Sequence, residues 1–208
     1  MKLLALLAIS CSIFAADGPK VIYSKTFPGS DPAYMLISVQ HDGTVSYNET
    51  TDPDNAENFK LEPASVGAIF DYARKLGNFK GTLESGLKVA NMGAKTLRWE
   101  DGAETSEAKF NYSQDDNAAK LVDLFEAISE SERLFVQLKR AIRFDKLGVN
   151  DALLRLNILY NQKRLMGTPQ YLPLLDRIVK DESYLHMARE RAATLADGLR
   201  AASGQKSQ

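Results

Sequence analysis

The feature that most constrains this chain is a change of hydrophobic period near residue 116. Before that point apolar residues alternate one by one, as a half-buried strand requires; beyond it they recur every three to four, as a helix requires. Tyr34 to Val39 puts Met35, Ile37 and Val39 on one face and Tyr34, Leu36 and Ser38 on the other. Val45 and Tyr47 resume the apolar face after His41-Asp42-Gly43-Thr44, where Asp-Gly predicts a type I′ hairpin turn. Val21-Ile22-Tyr23 and Phe59-Lys60-Leu61 read as shorter strands. A second hairpin carries Leu97 and Trp99, then Ala108, Phe110 and Tyr112 after Asp101-Gly102. One helix interrupts the strands: Pro63 suits a first turn, Val66, Ile69, Phe70, Ala73 and Leu76 form a stripe, and Gly77 ends it. The clean alternation predicts a sheet of four to six antiparallel strands, wet on one face and covered by one or more helices on the other.

Beyond residue 116, Leu121, Leu124, Phe125 and Ile128 make one stripe, and Leu134, Phe135, Leu138 and Ile142 the next. Ser129-Glu130-Ser131-Glu132 between them has the form of a capping box, with Ser129 as N-cap and Glu132 at N3. A helix break near Ser129 is therefore predicted. Asn150 is expected to cap a helix holding Leu153, Leu156 and Tyr160, which Gly167-Thr168-Pro169 ends. A short helix over Tyr171 to Lys180 follows. The last helix carries Leu185, Ala188, Ala192, Leu195 and Leu199 on one face. The fold class is α+β: an antiparallel, hairpin-rich sheet with a covering helix, then an all-helical C-terminal half.

The first residues bear on compartment. Met1-Lys2, an apolar run from Leu3 to Phe14, and Ala15-Ala16 before Asp17 have the plan of a secretory signal peptide, too short to span a bilayer. Phe14 at the −3 position departs from that plan. A second reading takes Cys11, after Ala8-Ile9-Ser10, as a lipid attachment site. The resulting division is a signal peptide over 1–16, an antiparallel α+β domain over 17–116, a helical region over 117–202 and a disordered tail over 203–208. Periplasmic or secreted residence is expected. Cys11 is the chain's single cysteine, so the mature protein holds together by burial without disulfides.

Charge is split between the halves. Residues 17–116 carry 10 Lys/Arg against 16 Asp/Glu, and residues 117–208 carry 15 against 11. Either the halves attract each other, or a basic helical surface faces an acidic partner or anionic lipid headgroups. The surplus is too small to imply nucleic acid, and no later segment is apolar enough to cross a membrane.

Two resemblances add to this reading. Tyr171-Leu172-Pro173-Leu174-Leu175-Asp176-Arg177-Ile178-Val179-Lys180-Asp181, followed by an alanine-rich helix, resembles one unit of a HEAT repeat, with His186 near a position where that motif often has arginine. It implies a helical hairpin of the kind interaction repeats use. In the strand half, Pro32-Ala33-Tyr34 and His41 to Tyr47 are similar to secreted bacterial domains of unknown function, which implies export and hairpins but no activity.

No residue constellation assigns catalysis, a metal or a cofactor. Glu182, His186 and Glu190 fall four apart, as a carboxylate/histidine hydrolase or lyase could use. At about 100° per residue their face lies about 140° from the apolar stripe of the same helix, so a solvated charge ladder is expected instead. His41 reads as a solvated turn residue. No Gly-x-Ser-x-Gly elbow is present, and Asp52-Pro53-Asp54-Asn55-Ala56-Glu57 matches a calcium loop for three residues before failing. Trp99, Phe110 and Tyr112 could form a ligand or glycan platform but share the face assigned to the core. Tyr160, Arg164, Tyr171, Arg177, Tyr184 and Arg189 are the residue types enriched at protein interfaces, and they mark the first candidate surface for a protein partner. The resulting reading is a non-enzymatic interaction protein of the cell envelope.

Overall fold

A computed structural model describes residues 18–204. The leader read at 1–16, including Cys11, and the end of the tail from 205 lie outside the described residues. The N-terminal half is a single six-stranded antiparallel sheet in the order β4-β3-β2-β1-β5-β6. Its strands are β1 (Lys20–Thr26), β2 (Tyr34–Gln40), β3 (Thr44–Asn48), β4 (Glu57–Lys60), β5 (Ala94–Asp101) and β6 (Glu104–Phe110). Register is set by the apolar alternation. Val21 faces Val39 and Trp99 across the ladders, and Tyr23 faces Ile37 and Leu97, so every core residue lands on the same side.

The His41-Asp42-Gly43 turn corrects the type I′ expectation. Gly43 alone takes a positive φ, +86°, after a turn closed from Gly43 N–H to the Gln40 carbonyl. This is a three-residue loop with glycine in the left-handed position. Asp42 stays extended or right-handed because its carboxylate accepts from Thr44 N–H at 2.8 Å and from Lys60 Nζ at 2.8 Å. Those donors hold its pKa down at about 2. A Cβ on Gly43 would stand 3.2 Å from the Leu61 carbonyl oxygen, a tight approach that adds to the preference for glycine set by the positive φ.

Two helices cover the inner face: α1 (Pro63–Lys75) and the first part of α2 (Asp116–Phe144). After α1 the chain turns sharply through Gly77, Asn78 and Phe79, at φ of +62°, +51° and +65°. Burial of the Phe79 ring and a hydrogen bond from Ser106 Oγ to the Asn78 carbonyl offset the strain of two non-glycine residues in that region.

Helix α2 overturns the predicted break. It runs for 29 residues without interruption, and Ser129, Ser131 and Glu132 are buried inside it. Asp115, not Ser129, caps it, accepting from Asn117 and Ala118 N–H. At 1.5 Å per residue α2 is about 44 Å long, whereas six strands span only about 24 Å. The overhang decides the packing. Leu121, Phe125 and Ile128 join the sheet and α1 in one apolar cluster. From Leu138 onward the same helix belongs to a second cluster with α3 (Val149–Asn161), α4 (Leu172–Lys180) and α5 (His186–Ser203). The packing boundary therefore falls inside α2 rather than at residue 116.

Three smaller expectations change. Helix α3 begins at Val149 behind Gly148, and the Asn150 side chain is engaged by Arg191 at 2.9 Å rather than acting as a cap. Helix α5 begins at His186, which leaves Leu185 exposed ahead of its buried stripe. Helix α5 also runs to Ser203, one residue into the segment read as tail.

Across the two halves, Arg133 pairs with Asp31 at 2.6 Å and with Glu49 at 3.1 Å, the sense the charge split suggests. Lys25 with Glu126 at 2.9 Å runs the other way. The shared apolar seam carries the contact, since such part-exposed pairs contribute only about 0–1 kcal/mol each.

Candidate functional site

The partner surface read from tyrosines and arginines does not assemble. Tyr171 is fully buried, its ring edge-on to Phe135 at 5.3 Å and its hydroxyl donating to the Ser131 carbonyl at 2.5 Å. Burial pushes that hydroxyl's pKa up. Tyr184 is also buried and donates to the Ile142 carbonyl at 3.3 Å. Both are core residues and are withdrawn from the exposed surface. Tyr160 is half-buried and lies against Gly198, where a Cβ would meet its hydroxyl at 2.6 Å. It lines a cleft of about 580 Å³ between the start of α1 and the ends of α3 and α5. Arg164 is occupied by Asp123 at 2.7 Å and Glu130 at 3.1 Å, and those carboxylates push its pKa up. Arg189 is half-buried, with Nε enclosed and without a hydrogen-bond partner among the described residues. Arg177 is exposed on α4.

The other sequence candidates settle plainly. Trp99 and Phe110 are buried, with Trp99 edge-on to Phe70 at 5.8 Å, while Tyr112 lies past the end of β6 and is exposed. His41 is exposed, edge-on to Phe70 at 5.0 Å. His186 reaches Glu190 at 3.2 Å on an open face, but Glu182 precedes α5, so the three do not stack on one helix. Asp52 caps a short 3-10 turn over Pro53–Asn55, its side chain accepting from Asp54 N–H. Among the described residues no group of three His, Cys, Asp or Glu stands close enough to hold a metal.

What the fold does build is a groove of about 700 Å³ between α2 and α3. Arg133, Val136, Gln137 and Arg140 line one wall, at the i, i+3, i+4 and i+7 positions of a single helical face. Arg155, Ile158 and Leu159 line the other in the same spacing. Val136 is 42% exposed and Ile158 46%, an apolar strip outside the core stripes of both helices. Arg133 is held by Asp31 and Glu49, and Arg155 by Asp151 at 3.0 Å. Arg140 makes no ion pair among the described residues. A smaller cleft of about 260 Å³, lined by Tyr47, Asn48, Glu49 and Thr50, shares Arg133 and Val136 and extends the groove to the C-terminal end of β3. There Tyr47 donates to Glu49 at 2.6 Å and shares a hydrogen bond with Ser129 at 3.0 Å.

Chemically this is a charged rim over an apolar floor, with Arg133, Arg140 and Arg155 set against Asp31 and Glu130. The sequence held the signal: Val136 and Ile158 stand off the buried stripes, where a wholly solvated face would be polar, and arginines sit three or four residues from each. Without the α2–α3 antiparallel pairing the two strips had no reason to be joined. Comparison with models of protein families and with curated proteins finds no match to this chain.

Proposed function

We propose that this chain is an exported, non-enzymatic interaction protein of the cell envelope, and that it takes a protein partner in the α2–α3 groove. The observation that carries this reading is Arg140, without a carboxylate partner among the described residues, beside half-exposed Val136 and Ile158. Charge and apolar area together at one concave site are what an acidic, amphipathic segment would engage. The non-enzymatic part is supported by the use made of the buried polar groups. Lys95 is enclosed by the carbonyls of Met92, Gly93 and Asn111, Tyr171 by Ser131, and Glu132 by Gln170. Lys95 and Tyr171 serve packing and line none of these clefts, while Glu132, held by Gln170, borders a cleft of about 440 Å³ beside Lys139. The signal-peptide plan of residues 1–16 and the likeness of α4–α5 to a HEAT unit support export and an interaction role.

The absence of any mature-chain cysteine makes the test direct. Val136→Cys, labelled with a thiol-linked photo-crosslinker, should give a discrete adduct in envelope extract. Leu36→Cys, on the uncovered sheet face, should not. Adding Arg140→Glu and Ile158→Asp should abolish the adduct without lowering the melting temperature. An adduct that survives both changes, or an equal one from position 36, overturns the proposal.

A further inference from the structure

The end of the helical bundle carries a second, separate surface. The α2–α3 turn and the α4–α5 turn lie side by side, tied by Lys146 Nζ donating to Ser183 Oγ at 2.6 Å and by Tyr184 donating to the Ile142 carbonyl. From these two turns project Phe144, Leu147, Leu185 and Met187, at 73%, 74%, 49% and 58% exposure. Three of them are the most exposed large apolar residues described in the chain. None lines the clefts described above. They stand on convex turns, so a folded protein partner would need a matching pocket for each, whereas a fluid acyl layer accommodates them in any arrangement.

Cations sit directly behind them. The Arg143 guanidinium lies 5.0 Å over the Phe144 ring, and Lys146 Nζ lies 5.5 Å over the Tyr184 ring. The acids of the two turns are Asp145, turned back to cap Gly148 N–H, Asp181, turned back to cap Ser183, and exposed Glu182, against Arg143, Lys146 and the last-turn Arg177 and Lys180 of α4. Apolar tips ahead of basic groups match the layering of a bilayer interface, acyl chains beneath anionic headgroups. No described helix is long and apolar enough to cross a membrane, so such an attachment would be peripheral.

We infer that this tip docks the protein on an anionic phospholipid surface, with Phe144, Leu147, Leu185 and Met187 entering the interface and Arg143 and Lys146 meeting the headgroups. The inference does not depend on the groove and holds whether or not a protein partner sits there. The hydrogen bonds tying the two turns hold the tip in place beforehand, so little ordering is lost on docking.

The test is co-sedimentation of the mature chain with phosphatidylcholine vesicles, with and without added phosphatidylglycerol. Binding should require phosphatidylglycerol and fall as salt rises. Phe144→Ser with Leu147→Ser should weaken it by about tenfold or more, because two large side chains no longer leave water. Arg143→Glu should remove the preference for phosphatidylglycerol. Leu147→Trp supplies a second readout, since its emission should shift to the blue on vesicles while buried Trp99 stays constant. Vesicle binding that the tip variants leave unchanged overturns the inference, as does no binding to phosphatidylglycerol. A concentration-dependent dimer lost in Phe144→Ser would assign the tip to a second copy instead.

Discussion

Replacing Tyr171 tests the packing of the helical half and the continuity of α2 together. Its ring is fully enclosed in the second cluster against Phe135, and its hydroxyl donates to the Ser131 carbonyl. Removing an aromatic side chain from such a site costs about 3–5 kcal/mol. Tyr171→Phe isolates the hydroxyl, which should account for about 1–1.5 kcal/mol of that. For a chain of this size each kcal/mol moves Tm by roughly 2–4 °C, so Tyr171→Ala should lower it by roughly 6–20 °C. Urea unfolding followed by far-UV circular dichroism reads the free energy directly. Trp99 supplies an independent probe, since it sits in the first cluster, on the sheet. Because one helix belongs to both clusters, the Trp99 fluorescence midpoint should fall with the dichroism midpoint. A loss below about 1 kcal/mol in Tyr171→Ala would mean that the ring is not packed as described. A dichroism transition that moves while the Trp99 signal stays fixed would show that α2 does not couple the two cores.

Other consequences are as open to measurement. Burial raises the pKa of Glu132 above its ordinary 4.5, so folding favours the protonated acid and stability is lost as pH climbs through the shifted value. Glu132→Gln, which keeps an acceptor for Gln170, should therefore gain stability at neutral pH relative to the parent, with the gain shrinking towards pH 4 and below; a gain that grows on acidification would contradict the assignment. Trp99→Ala should cost about 3–5 kcal/mol by circular dichroism, since the ring is buried against Phe70, and near-parental melting would expose the ring and restore a ligand platform on the sheet. The proposed export predicts an intact mass whose chain starts at or near Asp17 without modification, and a chain beginning at acylated Cys11 would replace simple cleavage with lipid anchoring.

The contrast between the strands and α2 shows what local pattern can carry. Strand faces, hairpins and α1 were legible because alternation and helical spacing are set by the backbone itself: Met35, Ile37, Val39, Val45, Tyr47, Leu97 and Trp99 all lie on the predicted core side. The aromatic-and-arginine surface failed for the reason that Tyr and Arg serve cores and exteriors alike. Only packing distinguishes Tyr171 and Tyr184, buried, from Arg177, exposed. The Ser129–Glu132 pair is the clearest case. Residues at i and i+3 share a helix face, so a capping box and a helix interior have the same spacing. What decided between them came from far along the chain: Tyr47 to Ser129, Met166 N–H to Ser131, and Gln170 to Glu132 at 2.8 Å. Those distant partners satisfy the polar side chains that would otherwise favour a break, and the helix runs on. The groove depends on the same contingency, because Arg140 and Ile158 become neighbours only when α3 folds back along α2. Period and turn chemistry act over a few residues and can be read from them; burial is conferred by whatever the fold brings near, and tertiary structure alone assigns it.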